Sequence, residues 1–263
     1  MNFLDRCTAL ITGASSGLGM EFARQLAPRA STLVLVARRL ERLDALKGEL
    51  ERPGLTIYCR QVDLSERAEI EALVEWLVIT GVKTNLLINN AGLGDHGRFE
   101  SSDWERVQAI LDVNIGALTR LTHALLPMLK AQAGAAILNV SSVASFFPIP
   151  KLAVYSASKA YVSAFSEAIR AELRGTGVRV TTLCPGPVST GFGGVAERTT
   201  NPEPLHPPEF LRVPVKKVVA EALDAVERDR ARVIPGWFVA ACVGVAASVP
   251  LAILRYGLNK RGR

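Results

Sequence analysis

Short apolar segments alternate with longer segments of helical period along almost the whole chain. The short segments are rich in Val, Ile and Leu, with little polar alternation, which is typical of strands buried on both faces. They predict strands at 7–12, 32–37, 56–61, 85–89, 136–140, 178–184 and 232–234. The helical period predicts helices at 17–27, 40–51, 68–80, 155–174 and 215–228, and a pair of helices within 103–132. This alternation predicts an α/β fold with a doubly wound parallel sheet.

The composition is that of one globular domain. The chain has 263 residues, of which 49 % are hydrophobic and 21 % charged, and this excludes disorder, collagen and coiled coil. Four scattered cysteines and three separated histidines show neither disulfide nor metal-ligand spacing. We therefore expect no metal and a reducing, cytoplasmic location. The first residues lead directly into a strand, so no signal peptide is expected.

The net charge of +6 is unevenly distributed along the chain. Arg255, Lys260, Arg261 and Arg263 carry four of the six charges, which leaves a charge of +2 for the rest of the protein. A protein that binds nucleic acid usually presents a basic groove or stripe. We therefore expect no nucleic-acid partner.

Two segments depart from the regular pattern. Seven of the fourteen prolines fall just after the sixth predicted strand, which predicts an irregular substrate loop at about 188–214. Residues 237–254 contain no charge and are flanked by basic residues on both sides. We therefore divide the chain into a catalytic domain, 1–236, and an extension, 237–263. The extension is predicted to attach to the cytoplasmic membrane face without crossing it, and a helix that covers the substrate pocket or a subunit interface is the alternative.

A glycine-rich loop joins the first predicted strand to the first predicted helix. Its residues are Thr12, Gly13, Ala14, Ser15, Ser16, Gly17, Leu18 and Gly19. Glycines let the chain turn sharply and let a pyrophosphate approach the N–H groups at the start of the helix, whose dipole favours negative charge. The spacing is Gly-x-x-x-Gly-x-Gly, and a plain glycine-rich turn is the alternative. The position of the loop favours a dinucleotide site.

The end of the second predicted strand indicates which dinucleotide is preferred. An acidic residue there accepts hydrogen bonds from the ribose hydroxyls, whereas a basic residue accommodates a 2′-phosphate. Ala37 is neutral, and Arg38 and Arg39 are cationic, so the sequence favours NADP(H). Arg38 is the stronger candidate, and a solvated side chain is the alternative for Arg39. Asp63, after the third strand, either accepts from the adenine amino group or caps the next helix.

Four polar residues are candidates for acid–base chemistry. Tyr155 and Lys159 lie four residues apart on one helical face, although this spacing also arises by chance. An ammonium beside a phenol favours the phenolate, which predicts a lowered pKa for Tyr155 and proton exchange with a carbonyl or alcohol oxygen. Ser142 ends the fifth predicted strand and is placed to bind the same oxygen. Asn114 lies within a predicted helix, so its amide is either functional or simply satisfied there.

Taken in order, these motifs resemble those of the short-chain dehydrogenase/reductase family, in its compact single-domain branch. The resemblance covers about residues 7–235. Its motifs are Thr12–Gly19, Asp63, Asn89-Asn90-Ala91-Gly92, Asn114, Ser142, Tyr155-x-x-x-Lys159 and Pro185-Gly186-x-Val188-x-Thr190. It implies a Rossmann-like sheet of seven parallel strands that binds NAD(P)(H) at its topological switch point.

The resemblance also implies roles for these residues. Tyr155 is the expected general acid/base, Lys159 lowers its pKa and holds the nicotinamide ribose, and Ser142 polarises the substrate carbonyl. Asn114 is expected to hold a water that connects Lys159 to solvent. The full set of expected cofactor contacts is Gly13, Ser15, Ser16, Gly17, Leu18, Gly19, Arg38, Arg39, Asp63, Asn90, Ala91, Gly92, Tyr155, Lys159, Pro185, Gly186, Val188 and Thr190.

These residues predict an NADPH-dependent reductase of a ketone or oxoacyl group, which also oxidises the alcohol. The alternative is a membrane-associated or NADP(H)-sensing binding protein without significant turnover. A lipophilic carbonyl or alcohol substrate is expected, because the predicted pocket wall is apolar at Phe146, Phe147, Ile149, Leu152, Phe192, Phe210 and Leu211. The resemblance further implies a homodimer or homotetramer through the helices at 114–131 and 155–174.

Overall fold

Seven parallel strands form one sheet at the centre of the molecule. The structure is a computed structural model and describes residues 3–188 and 209–249. The strands are β1 (Thr8–Thr12), β2 (Thr32–Ala37), β3 (Thr56–Gln61), β4 (Leu86–Asn89), β5 (Ala135–Val140), β6 (Val178–Leu183) and β7 (Arg232–Val233). Their order across the sheet is β3-β2-β1-β4-β5-β6-β7. The seven-stranded parallel sheet is therefore confirmed, and each strand boundary lies within one residue of its predicted position.

Helices connect the strands along most of the chain. They are α1 (Gly17–Leu26), α2 (Leu40–Leu50), α3 (Arg67–Thr80), α4 (Trp104–Leu111), α5 (Leu118–Lys130), α6 (Ala153–Glu172), α7 (Val215–Glu227) and α8 (Trp237–Ala247). Helix α3 ends at Gly81, whose φ of +68° is in the left-handed region that glycine favours. Helix α4 begins after Asp103, whose carboxylate accepts a hydrogen bond from the Glu105 N–H at 3.1 Å.

The hydrophobic core lies on both faces of the sheet. In β1, Ala9 and Ile11 belong to a cluster that includes side chains of α1, α2 and α7, whereas Leu10 belongs to a second cluster with α3 and α5. Successive side chains of a strand point to opposite faces, so a strand covered on both sides is apolar at most of its positions. This arrangement explains the uninterrupted apolar segments of the sequence.

The chain between α4 and α5 forms a π-helical turn at Asp112–Ala117. Such wider turns are rare and are frequent at functional sites. Asn114 lies inside this turn and is 1 % exposed. The predicted helix pair is therefore present, but Asn114 occupies an irregular turn between the helices rather than a regular helix.

The beginning of the predicted extension packs against the body of the protein. Helix α8 has eleven residues, and its Val239 and Val243 are buried in the cluster that also contains side chains of α1 and α7. Within the described ranges, no helix combines the length and the apolar character needed to cross a membrane. Thr190, Phe192 and the residues from 250 onward lie outside the described residues.

Candidate active site

The predicted site residues gather at the carboxyl ends of the strands. Strand β1 lies between β2 and β4, so the chain order reverses at this point. A crevice at such a reversal is the usual ligand site of an open α/β sheet. Arg38 follows β2, Asn90 follows β4 and Ser142 follows β5. Residues far apart in sequence are thereby brought to one edge of the sheet.

The loop after β1 requires glycine at two positions. Gly13 has a φ of +66°, and a Cβ atom at Gly19 would lie 2.2 Å from the Gly13 carbonyl oxygen. Ser16 precedes α1 without a side-chain hydrogen bond to the helix. The N–H groups at a helix start, together with the helix dipole, attract phosphate. The loop therefore fits a pyrophosphate group.

Thr12 and Asn90 hold the glycine loop against the end of β4. The Thr12 hydroxyl accepts hydrogen bonds from the N–H groups of Asn90 (2.9 Å) and Ala91 (3.0 Å). The Asn90 side-chain amide donates to the Thr12 carbonyl oxygen at 2.8 Å. A Cβ atom at Gly13 would lie 3.0 Å from the Ala91 Cα atom, so the two segments are in direct contact.

The two arginines after β2 extend in different directions. The Arg39 guanidinium donates hydrogen bonds to the hydroxyls of Ser15 (3.0 Å) and Ser16 (3.3 Å) and thus lies on the glycine loop. The Arg38 side chain is 64 % exposed, and its Nη1 atom lies 3.8 Å from Asp63 Oδ2. Arg39, for which a solvated side chain was the alternative, is therefore the arginine that contacts the predicted phosphate loop.

Asp63 stabilises the turn ahead of α3. Its carboxylate accepts hydrogen bonds from the N–H (2.9 Å) and the hydroxyl (2.6 Å) of Ser65. Burial raises the pKa of Asp63, but the hydrogen bonds from Ser65 and the charge of Arg38 together hold that pKa below its ordinary value. Glu66, and not Asp63, is the residue that directly precedes the helix.

Ser142, Tyr155 and Lys159, which we call the Ser–Tyr–Lys cluster, lie together between β5 and α6. Ser142 and Lys159 are buried, and Tyr155 is partly buried. Tyr155 is hydrogen-bonded to the Ser142 hydroxyl. The Lys159 ammonium donates to the Val140 carbonyl oxygen at 2.9 Å, and its nitrogen lies 5.8 Å from the centre of the Tyr155 ring. The structure therefore brings the three predicted side chains together.

Burial shifts Tyr155 and Lys159 towards their neutral forms. It raises the pKa of Tyr155, although the hydrogen bond with Ser142 lowers that pKa in part. It lowers the pKa of Lys159 to about 8. The prediction of a lowered pKa for Tyr155 is therefore wrong, because desolvation outweighs the effect of an ammonium nitrogen 5.8 Å from the ring centre.

Asn114 connects the segment after β4 to helix α6. Its Oδ1 atom accepts a hydrogen bond from the Leu93 N–H (2.8 Å), and its Nδ2 atom donates to the Leu93 carbonyl oxygen (3.0 Å) and the Ser158 hydroxyl (2.9 Å). A Cβ atom at Gly92 would lie 3.3 Å from both Asn114 Oδ1 and Lys159 Nζ. The amide therefore holds two elements of the site together, and Gly92 keeps side-chain atoms out of the space beside them.

A buried row of polar side chains fixes α6 against β5, and sequence reasoning did not identify it as part of the site. The Ser141 hydroxyl donates to the Lys159 carbonyl oxygen (2.8 Å) and shares a hydrogen bond with Ser163 (2.8 Å). The Asn139 amide donates to Ser166 at 2.9 Å. Serines on the buried face of a long helix were the available signal, because a buried hydroxyl requires a partner.

An open groove of about 570 Å³ follows the segment after Ser142. Its size lies within the range of small-molecule sites. It is lined by Ser145, Phe146, Phe147, Pro148, Ile149, Pro150, Ala153, Ser156, Ala157 and Ala160. The apolar wall predicted at 145–154 therefore borders a groove, although Ser142, Tyr155 and Lys159 are not among the residues that line it.

The segment that starts with Pro185 lies beside Ser142 at the sheet edge. The Pro185 carbonyl oxygen accepts a hydrogen bond from the Val143 N–H at 3.0 Å. A Cβ atom at Gly186 would lie 3.0 Å from Val239 Cγ1 of α8, and Val188 forms a β-bridge with Val213. Helix α8 therefore packs directly against a predicted cofactor-binding segment.

The amino-acid sequence matches known proteins over most of its length. The family model of the short chain dehydrogenases matches residues 7–201. A sulfoacetaldehyde reductase of Chromohalobacter salexigens is 41 % identical over 187 residues, which are 69 % of this chain and 72 % of that protein. A ketoacyl reductase of Nostoc sp. is 34 % identical over 203 residues, which are 77 % of this chain and 71 % of that protein.

Solved structures agree with this assignment. A short-chain dehydrogenase from Sphingobium yanoikuyae in complex with NADPH has a TM-score of 0.79 at 34 % identity and 97 % and 95 % coverage of the two chains. A bulky-bulky ketone specific alcohol dehydrogenase from Comamonas testosteroni has a TM-score of 0.76 at 31 % identity, with 97 % and 94 % coverage. A short chain dehydrogenase/reductase from Burkholderia phymatum in complex with NAD has a TM-score of 0.81 at 27 % identity, with 92 % and 93 % coverage. The family model, the relatives and the solved structures each cover most of the chain. The protein therefore belongs to the short-chain dehydrogenase family, whose members are NAD(P)-dependent oxidoreductases that act on alcohol and carbonyl groups.

Proposed function

We propose that the protein is an NADPH-dependent reductase of a ketone or oxoacyl group and that it also catalyses the reverse oxidation. The observation that carries the proposal is the hydrogen bond between Tyr155 and Ser142, next to Lys159, at the carboxyl edge of the sheet. A carbonyl oxygen placed against the two hydroxyls would accept a hydrogen bond from each. Ser142 would hold and polarise that oxygen, and Tyr155 would give it a proton.

Residues on both sides of the switch point fit a bound dinucleotide. The loop containing Gly13 and Gly19 would leave backbone space for the pyrophosphate, and the Lys159 ammonium, which donates to the Val140 carbonyl oxygen, would also donate to the nicotinamide ribose. A bound nicotinamide supplies the hydride for the carbonyl carbon. A preference for NADP(H) is supported by the neutral Ala37 and by the charges of Arg38 and Arg39. The cofactors named for the neighbouring structures, NADPH and NAD, are compatible with either choice.

The pKa directions fit a proton donor. The raised pKa of Tyr155 keeps its phenol protonated at neutral pH, as carbonyl reduction requires. The pKa of Lys159, about 8, leaves most of the ammonium charged at neutral pH, where it stabilises the phenolate after transfer. The space beside Gly92, between Asn114 Oδ1 and Lys159 Nζ, is where we place a water that returns the proton from solvent.

A lipophilic substrate is supported by the apolar segment that follows Ser142 and borders the groove. Its wall contains Phe146, Phe147, Pro148, Ile149 and Pro150, and polar side chains are few. A pocket of this kind binds apolar groups well but holds a small charged group poorly, because such a group would lose its hydration without gaining a partner. Two similar proteins, a ketoacyl reductase and a bulky-bulky ketone specific alcohol dehydrogenase, act on substrates of this kind by name.

Assembly into a homodimer or homotetramer through α5 and α6 is part of the proposal. Tyr161 on α6 is 37 % exposed, stacks on Phe165 with a ring-centre distance of 5.7 Å, and shares a hydrogen bond with Thr119 on α5 at 3.0 Å. An exposed, ordered aromatic pair across two helices suits a protein interface. A light-scattering mass of a single 28.3 kDa chain at micromolar concentration would contradict this part.

The experiment is turnover of a carbonyl panel with NADPH, followed by the loss of nicotinamide absorbance. The panel contains bulky aliphatic and aromatic ketones, an oxoacyl thioester, a steroid ketone and sulfoacetaldehyde. We expect kcat/KM to be highest for an apolar ketone or oxoacyl compound and low for sulfoacetaldehyde. Binding of NADPH without turnover of any compound would instead support a sensing protein, and a preference for sulfoacetaldehyde would overturn the lipophilic assignment.

A further inference from the structure

Helix α8 is attached to the body of the protein through one face only. Val239 and Val243, four residues apart, are 5 % and 7 % exposed. On the opposite side, Trp237 is 79 % exposed and Val245 is 72 % exposed. We use the term outer face of α8 for Trp237, Phe238, Ala241 and Val245, which lie within about 100° of one another around the helix axis.

The outer face has no charged side chain. The charge-free segment begins at Trp237 and continues beyond the described residues to Leu254 in the sequence. Ser248, the residue after the helix, donates its hydroxyl hydrogen bond to the Gly244 carbonyl oxygen at 2.9 Å. A contiguous exposed apolar surface of this kind marks a contact site for a protein or a membrane.

Basic side chains lie next to the start of α8. Val213 packs over Gly236, since a Cβ atom at Gly236 would lie 2.9 Å from Val213 Cγ2. Arg212, the residue before Val213, is exposed. The Glu221 carboxylate accepts a hydrogen bond from the Gly236 N–H at 3.2 Å and lies 4.0 Å from the Lys217 ammonium. The sequence adds further basic residues after the charge-free segment, at Arg255, Lys260, Arg261 and Arg263.

We propose that the outer face of α8 docks on an anionic lipid surface. Apolar side chains flanked by basic groups complement a bilayer whose headgroups are negative. Since Val239 and Val243 anchor the helix in the protein core, α8 lies along the membrane surface. Because α8 also packs on Gly186 and on the Val143–Phe146 turn, docking would bring the substrate groove to the lipid, an inference that rests on the proposed function.

Vesicle flotation of the full chain tests the docking directly, without any activity measurement. The vesicles are phosphatidylcholine alone and an equimolar mixture with phosphatidylglycerol. We expect the protein to float with the anionic vesicles only, and less so in about 1 M salt, where the Debye length falls to about 3 Å. The triple variant Trp237→Ser, Phe238→Ser, Val245→Ser should bind at least about tenfold more weakly. The double variant Arg212→Gln, Lys217→Gln should also bind about tenfold more weakly.

A matched triple variant controls for the general loss of surface apolarity. This control variant carries Trp104→Ser, Phe99→Ser and Val78→Ser, which remove the same residue types from positions that are 65 %, 59 % and 67 % exposed. It should float like the unchanged protein. The proposal is overturned if the unchanged protein does not float, if the α8 variant floats equally well, or if that variant changes only the light-scattering mass, which would identify a subunit interface. If no ketone is reduced but the flotation pattern holds, the proposed function fails while the docking stands.

Discussion

The glycine loop between β1 and α1 and the Ser–Tyr–Lys cluster between β5 and α6 lie on the same edge of the sheet but are built differently. The loop presents backbone, because Gly13 and Gly19 approach so closely that a Cβ atom at Gly19 would lie 2.2 Å from a carbonyl oxygen. The cluster presents side chains, two of them buried, with pKa values that burial shifts towards the neutral forms. Changes in the two regions should therefore be visible in different measurements.

The comparison separates binding from chemistry. In the loop, each residue is required for a local backbone conformation, so its replacement should weaken the cofactor or the fold. In the cluster, each residue supplies a proton, a hydrogen bond or a charge to the reaction. Its replacement should therefore change turnover or its pH dependence, while cofactor binding remains.

The replacement Tyr155→Phe should reduce kcat by about 10²–10⁴-fold and leave the NADPH dissociation constant unchanged, because only the proton donor is lost. Steady-state kinetics and NADPH fluorescence titration measure the two quantities. The control is Tyr161→Phe on the same helix, which removes a hydroxyl from a 37 % exposed ring and should leave kcat unchanged. Turnover near the unchanged level in Tyr155→Phe would remove this residue from the chemistry.

Burial of Lys159 should make stability depend on pH. Its pKa falls from 10.5 in the unfolded chain to about 8 in the folded protein, so between these values the unfolded chain binds more protons. The free energy of unfolding should therefore rise from about pH 8 to about pH 10.5, by about 3 kcal/mol relative to Lys159→Met. Below pH 8 the difference between the two proteins should be constant.

Urea unfolding of both proteins at about pH 7.5 and about pH 10 measures this difference. The exposed Lys130 supplies the control, since Lys130→Met should show the same pH dependence as the unchanged protein. If the free energy of unfolding of Lys159→Met changes between the two pH values as much as that of the unchanged protein, Lys159 has an ordinary pKa.

Cofactor preference should depend on the two arginines after β2. A charge-assisted contact to the 2′-phosphate contributes about 1.5–3 kcal/mol, so Arg39→Gln should lower the NADPH/NADH ratio of kcat/KM by about 10- to 150-fold. The double replacement Ala37→Asp, Arg38→Gln should shift the ratio further towards NADH. The exposed Arg42 on α2 is the control, because Arg42→Gln should leave the ratio as it is. Ratios unchanged in both altered proteins would contradict the NADP(H) assignment.

The replacement Gly19→Ala should cost about 1–3 kcal/mol of stability and weaken cofactor binding, because its methyl group meets the Gly13 carbonyl oxygen. Thermal unfolding with and without NADPH measures both effects. The matched control is Gly48→Ala in α2, where an added Cβ meets nothing within 4 Å and should stabilise by up to about 1 kcal/mol. Equal melting temperatures for the two variants would show that the loop tolerates a side chain.

The strand boundaries were predictable to within one residue, whereas α6 begins and ends two residues before its predicted range. Strands β2 and β3 lie at the predicted residues, because a short apolar segment between two helical segments leaves few alternatives for its boundaries. The cluster was predictable because Tyr155 and Lys159 share a helical face, and because Ser142 ends a strand on the side where α/β sheets bind ligands.

Features that depend on the packing of distant segments were not predictable. The π-helical turn around Asn114 depends on bonds to Leu93 and Ser158, and the contact of Arg39 with Ser15 joins the ends of two strands. Residue order does not show which of two adjacent arginines turns towards the glycine loop.

The order of strands and helices along the chain, the glycine loop and the family can be recognised from the sequence, because they follow from periodicity and from motifs of neighbouring residues. The directions of the Tyr155 and Lys159 pKa shifts become visible in the folded structure, since desolvation depends on every element packed around a group. The folded structure also shows how α8 lies, because Val239 meets Gly186 only after the sheet has brought two distant segments together. Burial and contact between distant segments are properties of the folded chain, and a one-dimensional pattern does not contain them.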